Sequence, residues 1–105
     1  MELFTKEIEA KAKEQYPKGN DLESQIVVAK FFNPTGAGTW YLLNQDPQDT
    51  NYCWGICHIF EWEIGSFSKS DLVDYKGKFG LGIERDLHFE EVNAKELWSS
   101  LINKR

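Results

Sequence analysis

Five titratable side chains fall in two short runs, Glu61 and Glu63 in Phe-Glu-Trp-Glu-Ile-Gly, and Glu84, Asp86 and His88 in Gly-Ile-Glu-Arg-Asp-Leu-His-Phe. Carboxylates and an imidazole are what general acid–base catalysis and cation binding use, provided they converge so that one pKa is raised or one ion gains several ligands. Glu61, Glu63, Asp86 and His88 are therefore the candidate catalytic residues, suited to a small hydrolase or a metal-dependent enzyme. The plainer reading of the same residues is a solvated strand face. Their spacing matches no catalytic signature.

The second run alternates strictly. A strand over residues 80–90 puts Ile83, Arg85, Leu87 and Phe89 on one face and Glu84, Asp86, His88 and Glu90 on the other. On the inward face Arg85 requires a carboxylate partner or a stem that reaches water. A structural ion pair and recognition of an anion are both open. Trp40, Trp62, Glu84 and Arg85 are the candidate binding residues. Trp40, Trp54 and Trp62, interleaved with Tyr41, Tyr52 and Phe60, suit either a core or protein contact, or a platform for stacked bases.

Neither metal nor cofactor is called for. Cys53, Cys57, His58 and His88 are zinc-ligand types, but the cysteines lack the two-residue knuckle gap, and on a strand His58 points away from Cys57. The same opposition argues against a Cys57 nucleophile activated by its neighbour. Gly36-Ala37-Gly38 and Gly80-Leu81-Gly82 carry no phosphate-loop lysine and read as turns.

The 105 residues suffice for one domain, 1–105, with one core. Aromatics at 14% exceed what a chain this size must bury, so some rings are expected at the surface, where they favour a binding contact. A formal charge of −5 disfavours nonspecific nucleic-acid binding. There is no signal-peptide pattern and no apolar run of membrane length. Cys53 and Cys57 lie on one strand face, too far apart to bridge, and read as reduced thiols of a cytoplasmic protein.

The elements that must position these residues follow from local pattern. Residues 2–16 read as an amphipathic helix stopped by Pro17 and Gly19. Ile26–Phe32 and Thr39–Asn44 form a hairpin, Tyr52–Phe60 a central strand in which Gly55 marks a bulge or close backbone approach, and Glu61–Phe67 a further strand. Ser68 or Ser70 caps a short helix, the 80–90 strand follows, and Asn93 caps a final helix, 94–103. The fold class is α+β, an antiparallel sheet of four or five strands with an N-terminal helix, a short helix before the last strand and a C-terminal helix, the helices covering one sheet face.

Thr39-Trp40-Tyr41-Leu42, Asp46-Pro47, Gly55-Ile56, Phe60-Glu61, Glu63-Ile64-Gly65, Phe67-Ser68 and above all Glu84-Arg85-Asp86-Leu87-His88-Phe89 resemble the bacterial domain-of-unknown-function family numbered 2958, over residues 2–90. That resemblance implies a genetic neighbourhood of plasmid, phage and conjugative-transfer genes and no particular reaction. His58 stands where the family usually has Asp, and Lys69 where Leu is usual. The expected function is a small acidic accessory protein that binds another protein; the competing expectations are the hydrolase or metal enzyme and, third, a single-stranded nucleic-acid binder.

Overall fold

Branched and aromatic residues build three consecutive seven-residue strands, β3 (Thr39–Gln45), β4 (Tyr52–His58) and β5 (Trp62–Ser68), which form the middle and one margin of the sheet. They follow α1 (Lys6–Gln15), β1 (Ile26–Val27) and β2 (Ala29–Phe32), and precede α2 (Lys69–Asp74), β6 (Glu84–Arg85), β7 (Val92–Asn93) and α3 (Ala94–Ile102) in a computed structural model that describes residues 1–103. Residues 104 and 105, the end of the expected domain, lie outside the described residues. The main sheet is antiparallel in the order β5-β4-β3-β2-β6, and β1 pairs separately with β7. The α+β expectation holds. No helix among the described residues is long and apolar enough to cross a membrane.

Both sheet faces are covered, not one. Leu3, Phe4 and Ala12 pack with Phe31, Leu42 and Cys53, joined by Leu72 of α2. On the opposite face Tyr41, Leu43 and Ile56 pack with Ala94, Leu97, Trp98 and Leu101 of α3. The N-terminal helix is shorter than its periodicity suggests because Thr5, in extended conformation, accepts from the Ile8 N–H and caps it. Leu3 and Phe4 therefore enter the core from a non-helical strap. Ser68 and Asn93 cap α2 and α3 as expected.

The polar connection at 18–24 is ordered by buried amides. Gln15 Nε2 donates to the carbonyls of Ile26 (2.9 Å) and Leu43 (2.7 Å), and its Oε1 accepts from Ile26 N (2.8 Å). Gln25 Nε2 donates to the Gly19 and Asp21 carbonyls, and its Oε1 accepts from Asn44. An extra residue in β3 between Leu42 and Asn44 shifts the register and turns Asn44 toward Gln25.

Glu9 ties α1 to the sheet and to α2, accepting from Gln45 Nε2 (2.8 Å) and Lys69 Nζ (2.9 Å). Partial burial pushes its carboxyl up, but the hydrogen bonds from Lys69 and Gln45 and the Lys69 charge outweigh that and hold it below its ordinary value. A depressed carboxyl pKa contributes stability that is present above the unfolded value of 4.5 and is lost as pH falls through the folded one. Urea midpoints should therefore fall as pH is lowered below about 4.5, and Glu9→Gln should flatten that limb. Identical acid limbs for the two proteins would show that Glu9 is not the group responsible.

Candidate functional site

The two titratable runs sit at opposite margins of the sheet. Glu63 belongs to β5 and Glu61 to the turn before it; Asp86 and His88 follow β6, with β4, β3 and β2 in between. Four strand spacings separate the two margins, roughly 19 Å. The convergence that acid–base or metal chemistry requires is thus missing from this set, and among the described residues no three His, Cys, Asp or Glu side chains gather as a cation site would need.

The 80–90 segment is not a continuous strand. Only Glu84 and Arg85 pair, with Phe32 and Phe31. Asp86 then ends the ladder: its Oδ1 accepts from His88 N (2.9 Å), its carbonyl accepts from Phe89 N (3.3 Å), and Lys30 Nζ lies 3.8 Å from its carboxylate. An aspartate that bonds its own downstream backbone competes with strand pairing. Leu87, expected inside, is 63% exposed in the resulting turn. Among the described residues Arg85 takes no carboxylate partner on an inward face. Its Nε and Nη2 donate to the Glu2 carbonyl (3.3 and 3.1 Å), which fastens the N-terminal strap. Glu84 borders a second recess beside Met1–Phe4.

The tryptophans are divided between the two faces. Trp62 lies on the α3 face, against Tyr41 (5.9 Å between ring centres) and His58 (4.6 Å), and Trp54 joins the same cluster. Trp40 lies on the other face with Leu42 and Phe31. Trp62 is therefore a packing residue, and the three indoles do not make one stacking platform. Trp40 and Glu63, by contrast, share one face, on either side of Cys57.

They line a groove of about 790 Å³ on the sheet face that α1 leaves bare. Alternation on β5 sends Glu63, Gly65 and Phe67 to this face, opposite Cys57, Gly55 and Cys53 of β4. A Cβ added at Gly65 meets nothing within 4 Å, so the floor is open there. One wall is the end of α2, where Asp71, Leu72 and Tyr75 stand, and Asn33 Nδ2 reaches the Tyr75 hydroxyl (3.2 Å) to join that wall to the β2–β3 loop. The rim is the three-residue β4–β5 turn, whose Ile59 and Phe60 are 49% and 94% exposed. The groove thus combines aromatic and aliphatic walls with two carboxylates, Glu63 and Asp71, and among the described residues no lysine, arginine or histidine lines it.

Cys57 lines the groove, in surroundings that disfavour its thiolate. Burial, assisted by the Glu63 charge, pushes its thiol up to about 12, and burial does the same to Cys53. Iodoacetamide at pH 7.5 should therefore label folded protein more than about a hundredfold more slowly than the urea-unfolded chain. Comparable rates would restore Cys57 as a reactive group.

Sequence reasoning missed Gly65, Asp71 and Tyr75, and named Phe60 only as one ring of the interleaved aromatics. The usable signal was the glycine at an outward-counting position of an otherwise branched and aromatic strand, which marks space above the sheet.

The sequence model of a family described as "Protein of unknown function (DUF2958)" matches residues 3–104. The chain belongs to the DUF2958 family. Comparisons with curated proteins and with solved structures returned no match. The DUF2958 match extends through α3, beyond the 2–90 span over which the resemblance was read. The two departures from the expected DUF2958 pattern both have structural partners here: His58 packs at a tilt of 51° against Trp62, and Lys69 pairs with Glu9 while its ammonium sits 5.3 Å over the Phe4 ring.

Proposed function

We propose that this DUF2958 protein is a small cytoplasmic accessory protein that acts by binding another protein, in the mobile-element setting that the family resemblance implies. The observation that carries this reading is the groove beside β5, where Phe60 and Ile59 stand in solvent at the rim of an aromatic, acid-lined trough. Exposed rings around a concave apolar patch favour macromolecular contact over solvation. The formal charge of −5 disfavours phosphate backbones as the ligand and suits a basic protein surface.

The test is capture of partners by the tagged protein from host lysate, with nuclease, in parallel with a Phe60→Ser variant. Phe60 is 94% exposed, so its replacement should leave the melting temperature within a few degrees. A nuclease-resistant partner lost with Phe60→Ser supports the reading. Partners that vanish with nuclease, or that ignore Phe60→Ser, overturn it.

A further inference from the structure

The two margins of the main sheet are protected very differently. β6 is two residues long and ends in the Asp86 turn, which blunts it. β5 is seven residues long, its register with β4 is unbroken from Ser68 to Trp62, and it carries no proline and no lysine until α2 begins. Among the described residues no strand pairs with its outer side.

Which backbone groups face out follows from register. Lys69 N donates to Asn51 O (2.9 Å) one step beyond the Tyr52–Ser68 pair, so 53/67, 55/65 and 57/63 are the hydrogen-bonded pairs. Trp62, Ile64 and Ser66 consequently turn their N–H and C=O groups outward. This row of donors and acceptors opens directly beside the groove, since Glu63 and Gly65, which line the groove, alternate with these residues along β5.

We propose that an extended, basic segment of a partner protein adds to β5 as a further strand and lays an arginine or lysine side chain over Gly65, between Glu63 and Asp71. This rests on the protein-binding reading and specifies its ligand. Main-chain bonds to Trp62, Ile64 and Ser66 supply affinity irrespective of sequence, and the groove supplies the choice of side chain. A cationic stem fits because Trp40 and Tyr75 offer aromatic surface and, among the described residues, no cation in the groove competes for the two carboxylates. On the other face, beside Ile64 and Trp62, the added strand meets apolar neighbours. Charge also separates this occupant from a second copy of the chain: pairing β5 with β5 gathers Glu61 and Glu63 of both copies along one seam, where like charges repel.

The probe is a blocked peptide alternating arginine with valine over about seven residues, titrated by fluorescence anisotropy. Binding well below about 1 mM is expected, weakened about tenfold or more when the peptide is N-methylated on the amides of one edge, which leaves its charge intact. Ser66→Pro removes an outward N–H without breaking the bonds to β4, since proline is tolerated where an edge N–H faces solvent. It should weaken binding similarly. Glu63→Lys, at an exposed side chain, keeps the result interpretable if the proline variant fails to fold, and it too should cost about tenfold. No binding at about 1 mM, or binding indifferent to N-methylation and to both variants, overturns the strand-addition proposal. Self-association of the protein abolished by Ser66→Pro overturns it in favour of a second copy. If the peptide fails while a captured partner still depends on Phe60, the protein-binding reading stands and only its ligand is wrong.

Discussion

Gly55→Ala is expected to cost about 4 kcal/mol, enough to leave a large fraction of the chain unfolded at 37 °C. A Cβ at position 55 would stand well inside 3.0 Å of the Tyr41 carbonyl oxygen, 3.0 Å from its carbonyl carbon and 3.3 Å from the Leu42 Cα. These are backbone atoms of the neighbouring strand, beside the extra residue that shifts the β3 register, and no side-chain rotation can relieve the overlap. β3 and β4 must part locally, forfeiting ladder bonds worth about 1 kcal/mol each on top of the overpacking. The control is its cross-strand partner. Gly65→Ala adds a methyl group into open space and removes a strand glycine, so it should leave stability unchanged or raise it by about 0.5 kcal/mol. Urea unfolding of both variants decides the matter; equal midpoints would mean that the close approach at Gly55 relaxes at little cost.

Gln15→Ala is expected to lower stability by about 3 kcal/mol and the melting temperature by roughly 15 °C. The side chain is 7% exposed and makes three bonds to backbone, two as donor and one as acceptor. Truncation leaves the Ile26 and Leu43 carbonyls and the Ile26 N–H without that partner, and each unsatisfied buried group costs about 1 kcal/mol or more. Glutamate in its place should do no better: it can still accept from Ile26 N but sets a carboxylate against two carbonyls that need donors. A melting temperature within about 3 °C of wild type would show that water replaces the amide at this position.

Local signals made much of the fold legible. Ser68 and Asn93 are caps because a short polar side chain can reach an N–H two or three residues on, which is information within a few residues of sequence. The pairing of Ala29–Phe32 with Thr39–Leu42 follows from two branched runs around a proline and glycines, although the expected strand divides at Val28 and its first part, Ile26–Val27, pairs with β7 instead; Gly55 was readable as a close approach because a glycine in an apolar strand has few other uses. The 80–90 segment misled because alternation is a pattern of burial, whereas Asp86 acts through a hydrogen bond to its own backbone. The expected carboxylate–histidine cluster failed for a non-local reason: strand order, which the sequence does not print, placed β2, β3 and β4 between its halves. The bonding roles of Gln15, Gln25 and Asn44 were not legible, because an amide shows its partner only once the backbone around it is folded. Of the candidate residues, Trp40 and Glu63 proved to share a groove, and only the cross-strand register could show that Gly65 lies beside them.

The division of the core between two sheet faces also sets an order of assembly. The hairpins β3–β4 and β4–β5 join residues close in sequence, while β1 pairs with β7 across more than half the chain, Ile26 with Asn93 and Val27 with Val92. Contacts of short loop length form early and those of long separation late. During synthesis the meander is complete before α3 exists, so Tyr41, Leu43 and Ile56 wait uncovered on one face until the following segment folds back across them. A chain interrupted after β5 would thus carry four of the five strands of the main sheet with one greasy side, a species suited to capture by chaperones or to clumping with its own kind.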